Sequence, residues 1–144
     1  ILEDDFVFKI PINIENLIDN LKNIKWDVCL LSGNKFKLNT KIKKNIYYVS
    51  GSQTTSGYII KKSYIPKLLN FWKQDDLGEK KSIDYSSMSK MNCSNEKNCP
   101  YIEPIDISWK KLQKKDKWII INPTIGKQLE SYSDILQQHT NYGV

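Results

Sequence analysis

The chain has 144 residues and a mass of 16.8 kDa, the size of one domain. Its 40% hydrophobic and 26% charged residues can build a core, which excludes a wholly disordered chain. The longest apolar runs, Val28 to Leu31 and Trp118 to Ile121, fall far short of the ~20 residues of a membrane span.

Ile1-Leu2 reads as the end of a buried strand, so the chain is expected to begin inside a fold, without leader or tag, and to run straight into Glu3-Asp4-Asp5. Phe6 to Phe8 continue apolar up to Pro11. Asn13 reads as the N-cap of a helix whose stripe is Ile14, Leu17, Ile18 and Leu21. Trp26 to Leu31 reads as a short buried strand closed by Ser32-Gly33-Asn34, and Lys35 to Lys44 as a loop or weak hairpin. Asn45 to Val49 and Gly57 to Ile60 look like strands joined by a Ser/Gly/Thr-rich link, Ser50 to Ser56.

Ser63 then caps a second helix, with Pro66 in its first turn and Ile65, Leu68, Leu69 and Trp72 as its stripe. Residues 74–103 are charged and poor in aliphatics, the composition of a mobile loop. Pro104-Ile105-Asp106 leads into a third amphipathic helix through Lys115, and Trp118 to Ile121 is a strand. The tail from Gln128 has no clear period. With no repeat and no internal boundary, short strands alternating with helices predict one α/β domain over 1–144.

The formal charge of +6 comes from 22 basic against 16 acidic residues, and every basic residue is Lys. Arg and Ala are absent while Ile, Lys and Asn dominate, the mark of an AT-biased genome. Proteins that read or clamp nucleic acid lean on the bidentate guanidinium missing here. The lysines are also scattered in short clusters such as Lys41 to Lys44, so a solvated surface is expected and no nucleic-acid partner. Cys29 reads as a buried small hydrophobe. Cys93 and Cys99 sit in the polar loop as a disulfide or as free thiols, beside a glycosylation sequon at Asn92. Two cysteines and the lone His139, expected to be solvated, do not make a zinc site.

The sharpest chemical feature is Glu3-Asp4-Asp5. Three acids leaving an apolar strand repel one another unless a cation or many hydrogen bonds compensate. Strand alternation puts Glu3 and Asp5 on one face with Asp4 opposite. Acid-x-acid spacing suits a hard divalent cation, which can bridge a diphosphate and neutralise a leaving group; the alternative is a solvated acidic turn. Asp106, Asp84 and Asp134 each stand beside apolar residues. Each is either a helix cap or a general base near a substrate hydroxyl, and spacing does not choose among them. Tyr58, Tyr64, Trp72, Trp109, Trp118 and Tyr132 read as core, with Trp109 and Tyr132, beside the acids, as candidates for stacking on a sugar.

Taken in order, several segments resemble family 25 glycosyltransferases, the group that includes lipooligosaccharide and procollagen hydroxylysine galactosyltransferases. They are Ile-Leu-Glu-Asp-Asp-Phe at 1–6, Trp26-Asp27 with the following strand and Gly33, Thr55 to Ile60 leading to Lys67-Leu68-Leu69, Ile105-Asp106, and Pro123, Gln128 and Ser131 to Ile135. The Lys/Asn/Ile bias looks like versions of this family carried by large DNA viruses, for which host cytoplasm or virion is the expected place. The resemblance implies a GT-A type fold, a Rossmann-like mixed sheet that binds a nucleotide-sugar, with the N-terminal nucleotide-binding part missing from this piece. It implies transfer of a sugar, from a UDP-hexose, to a hydroxyl on a glycan or protein acceptor, assisted by Mn²⁺ or Mg²⁺. Glu3, Asp4 and Asp5 match the metal motif, with Asp5 first as ligand and Glu3 and Asp4 also facing the donor. Asp106 matches the base on the acceptor side, ahead of Asp134 and Asp84, and Gln128 and Tyr132 would line the site. The rival expectation is a noncatalytic carbohydrate- or protein-binding domain derived from such an enzyme.

Overall fold

The computed structural model describes residues 1–77, 105–133 and 138–140. In chain order its elements are β1 (Phe6–Phe8), α1 (Ile14–Leu21), β2 (Val28–Leu30), β3 (Lys37–Lys43), β4 (Ile46–Ser50), β5 (Tyr58–Ile60), a 3-10 turn (Lys62–Tyr64), α2 (Ile65–Leu77), α3 (Ile105–Ser108), α4 (Lys110–Gln113), β6 (Trp118–Ile121), β7 (Gly126–Gln128), β8 (Ser131–Ser133) and β9 (Gln138–Thr140). Five strands form a mixed sheet in the order β3-β4-β6-β2-β5, and β1-β7 and β8-β9 form two small antiparallel ribbons. Within the sheet β2 and β6 run parallel, with Val28 opposite Trp118 and Leu30 opposite Ile120. The other pairings are antiparallel. The architecture is therefore mixed α/β. No helix among the described residues is long and apolar enough to cross a membrane.

The two parallel strands are apolar throughout because both faces of the sheet are covered. On one face Val28, Leu30, Trp118 and Ile120 pack with Tyr58, Tyr64, Leu68, Trp109 and Leu112, so α2, α3 and α4 lie on that side. On the other, Cys29, Leu31, Ile119 and Ile121 pack with Phe6, Leu21, Ile24 and Trp26, which brings α1 and β1 over it. Alternate residues of one strand thus feed two separate cores. Their burial stabilises the fold at roughly 25 cal/mol per Å² of apolar surface removed from water.

Several boundaries differ from expectation. Ile1 and Leu2 pair through the backbone with Gly57 and Tyr58, but their side chains are exposed rather than buried. Asn13 does cap α1, its Oδ1 accepting from the Asn16 amide at 2.9 Å. Of the helix's stripe, however, only Leu21 is buried and Leu17 half-buried, while Ile14 and Ile18 remain 43% and 45% exposed. Lys35 to Lys44 holds a seven-residue strand, hairpin-paired with β4. Ser63 lies inside the 3-10 turn and does not cap α2. That turn carries Tyr64 inward, and the buried side of α2 is Leu68 with Phe71 and Trp72, leaving Ile65 and Leu69 exposed. Residues 74–77, expected in the loop, continue α2. The remainder of that loop, with Asp84, Asn92, Cys93 and Cys99, lies outside the described residues, as does Asp134. The third helix is two short ones, interrupted at Trp109.

Candidate functional site

The site forms beside the carboxyl end of β2, where parallel α/β strands commonly present ligands. The chain leaving β2 is anchored there. Leu31 N donates to Gly57 O at 3.0 Å, and Leu31 O accepts from Ile125 and Gly126. Just beyond, the Ser32 and Ser56 hydroxyls meet at 2.5 Å in the buried interior. The link between β4 and β5, residues 51–57, therefore lies against the segment that follows β2, which in turn holds the segment that follows β6.

Glu3, Asp4 and Asp5 are not in an extended strand. They form a turn in which Phe6 N donates to Glu3 O at 3.1 Å. Strand alternation is lost, yet Glu3 and Asp5 still reach one partner. The Gln128 side-chain amide donates to Asp5 Oδ2 at 3.0 Å and to Glu3 Oε2 at 3.5 Å. Thr55 Oγ1 donates to the other oxygen of Glu3. The turn is pinned from behind, because Glu3 N donates to Ser56 O at 2.9 Å and Leu129 N to Asp5 O at 2.8 Å. Asp4 is exposed and takes part in none of these bonds. Burial, reinforced by the Glu3 carboxylate, raises the pKa of the neighbouring Tyr58 phenol.

Asp106 reaches the same network from the opposite side. It stands in the first turn of α3, and its Oδ2 accepts from the Thr54 backbone N–H at 3.1 Å. Thr54 Oγ1 in turn donates to Gln128 Oε1 at 3.0 Å. A continuous hydrogen-bonded path thus runs from Glu3 and Asp5 through Gln128 and Thr54 to Asp106. Its scaffold is polar and buried. Gln113 accepts from Ser52 N at 2.8 Å and donates to Ser52 O at 2.9 Å, and Trp109 Nε1 donates to the same carbonyl at 3.1 Å.

Four residues expected at the site are thereby brought together: Glu3, Asp5, Asp106 and Gln128. Tyr132 is described by its backbone alone, in β8 opposite His139. Trp109 is corrected. It is fully buried, with its ring edge-on to Tyr58 at 5.6 Å and Trp118 at 4.9 Å, and so gives no platform for a sugar. Thr54 and Gln113 were not singled out from the sequence, and Thr55 entered only as the first residue of a resembling segment, with no role at the site. The only signal was the run of small hydroxyl residues from Ser50 to Ser56, which reads equally well as a plain link.

Among the described residues no three His, Cys, Asp or Glu side chains are grouped to hold a metal ion by themselves. Glu3 and Asp5 supply two carboxylates turned toward one amide. Mg²⁺ in nucleotide sites is commonly held by one or two carboxylates together with phosphate oxygens; Glu3 and Asp5 offer two carboxylates, both engaged by Gln128 Nε2. Comparison of the chain with models of known protein families, with curated proteins and with solved structures finds no match.

Proposed function

We propose that the chain carries the metal-binding and acceptor side of a glycosyltransferase of the family 25, GT-A type, which moves a hexose from a uridine diphosphate donor to a hydroxyl of a glycan or protein. The observation that carries this reading is the path joining Glu3 and Asp5, through Gln128 and Thr54, to Asp106. Residues distant in the sequence converge on it, and the resemblance assigns Glu3 and Asp5 to the metal motif, Gln128 to the lining of the site and Asp106 to the base. A transferase needs donor and base side by side.

In this reading Glu3 and Asp5 would hold a divalent cation together with the donor diphosphate, while Gln128 ties the two carboxylates to one amide. When bound, Mn²⁺ or Mg²⁺ supplies positive charge against that developing on the leaving diphosphate. Asp106, held at one oxygen by the Thr54 amide, takes the proton of the acceptor hydroxyl as that oxygen attacks the anomeric carbon. The acceptor O–H bond and the glycosidic bond break, the new glycosidic bond forms, and the nucleoside diphosphate leaves with the bonding pair.

Mn²⁺ binding followed by electron paramagnetic resonance, and hydrolysis of UDP-hexose with and without the metal, test the proposal. Asp5→Asn should lower Mn²⁺ affinity at least tenfold and remove turnover in the complete protein while leaving the circular dichroism spectrum unchanged. Asp106→Asn keeps an oxygen for the Thr54 amide. It should depress turnover by about 10²-fold or more with Mn²⁺ affinity kept, and equal loss of both would reassign Asp106. A second reading, a noncatalytic binding domain, is favoured by the neutral donors Thr55 and Gln128 that already engage the acids. It predicts carbohydrate or protein binding that is indifferent to Mn²⁺.

A further inference from the structure

Three non-glycine residues of the described chain have a left-handed backbone: Lys35 with φ 49°, Asn45 with φ 62° and Thr54 with φ 71°. Lys35 and Asn45 occupy exposed turns, and asparagine is among the residues that tolerate this region. Thr54 is different. It is β-branched, for which a positive φ is an outlier, and it is buried. Glycine or asparagine would adopt the same backbone with less strain. Strain of this kind persists only where the surroundings over-determine it, and it concentrates at functional sites.

The surroundings of Thr54 are on both sides of the site. Its left-handed backbone turns the N–H to Asp106, and its hydroxyl simultaneously donates to Gln128 Oε1. That bond fixes which end of the Gln128 amide faces the acids. With Oε1 held by Thr54, the Nε2 group is directed at Asp5 and Glu3. The two flanking residues are secured separately, Gln53 to Asn34 through the backbone and Thr55 to Glu3. Glycine would relieve the strain but supplies no hydroxyl, and valine keeps the shape but also lacks one.

From this we infer that Thr54 is a positioning residue, which aims Asp106 with its backbone and orients Gln128 against Glu3 and Asp5 with its hydroxyl. As a statement about catalysis it rests on the glycosyltransferase reading; as a statement about the orientation of Gln128 it does not. Thr54→Ser, Thr54→Val and Thr54→Gly, made in the full chain, separate the parts. The side-chain amide protons of Gln128, observed by NMR, should keep their resonance positions in Thr54→Ser. In Thr54→Val and Thr54→Gly they should move toward the values of a solvated amide. Mn²⁺ affinity should follow the same order, with a loss of roughly tenfold for Val and Gly. Thr54→Gly should melt no lower than Thr54→Val, since it loses the strain together with the hydroxyl, and it carries the comparison if the valine variant does not fold. Unchanged Gln128 resonances in Thr54→Val and Thr54→Gly would overturn the assignment. Failure of the unmodified chain to bind Mn²⁺ would instead remove the metal reading, and the Gln128 resonances would still decide the role of Thr54.

Discussion

A Cβ added at Gly126 would stand 2.1 Å from Phe6 Cζ, and one at Gly57 would stand 2.3 Å from Phe6 Cε2. The phenyl ring lies against both glycines, and the turn that it anchors carries Glu3 and Asp5. Gly126→Ala should therefore destabilise by about 1–3 kcal/mol, the usual cost of overpacking, read as a lowered denaturant midpoint. In the same core as Phe6, Cys29 is fully buried, and burial pushes its thiol from 9.0 to about 12. Between those values the unfolded chain gives up this proton while the folded chain keeps it. Stability is full below pH 9 and falls across the window, with the raised Tyr64 phenol adding to the loss through burial and its hydrogen bond to Asp116. Urea midpoints should drop from neutral pH to the middle of that window, and Cys29→Ala should drop less. The buried thiol was legible from its place in an apolar run. Phe6 against two glycines was not, because nothing local links residue 6 to residues 57 and 126.

At the scale of the element, the central strands read most clearly, since continuous apolar runs such as Trp118 to Ile121 fit strands covered on both faces. The helices were legible in existence and less so in orientation. Periodicity places Ile14, Leu17, Ile18 and Leu21 on one side of α1 but does not say how far the neighbouring layer extends, and here it covers Leu21 and stops short of Ile14 and Ile18. Leu21→Ala should cost about 2–5 kcal/mol, whereas Ile18→Ser should cost about 1 kcal/mol or less, both by chemical denaturation. In α2 the 3-10 turn at Lys62–Tyr64 shifts the phase of the inward face, so the stripe counted from Ile65 misses Phe71. The link between β4 and β5 was the largest omission. Its importance comes from partners distant in sequence, Gln113, Asp106, Gln128 and Glu3, and no local pattern carries that information.

At the scale of the whole molecule, charge is distributed unevenly. Between Asp27 and Asp75 there is no acidic residue, and Lys37, Lys41 and Lys43 line β3, one of the two outer strands of the sheet. The β3–β4 register is also broken twice. Lysines and irregular pairing on an outer strand discourage other chains from adding to it, which gives part of the basic surface a structural purpose that needs no anionic partner. The continuity of the sheet depends on a different strand. β6 lies between β4 and β2, yet it follows both in the chain. Without Trp118 to Ile121 the β3–β4 and β2–β5 pairs have no partner for their inner margins, so β6 is the keystone that joins them into one sheet. Margins of this kind are templates for mispairing until the central strand is in place.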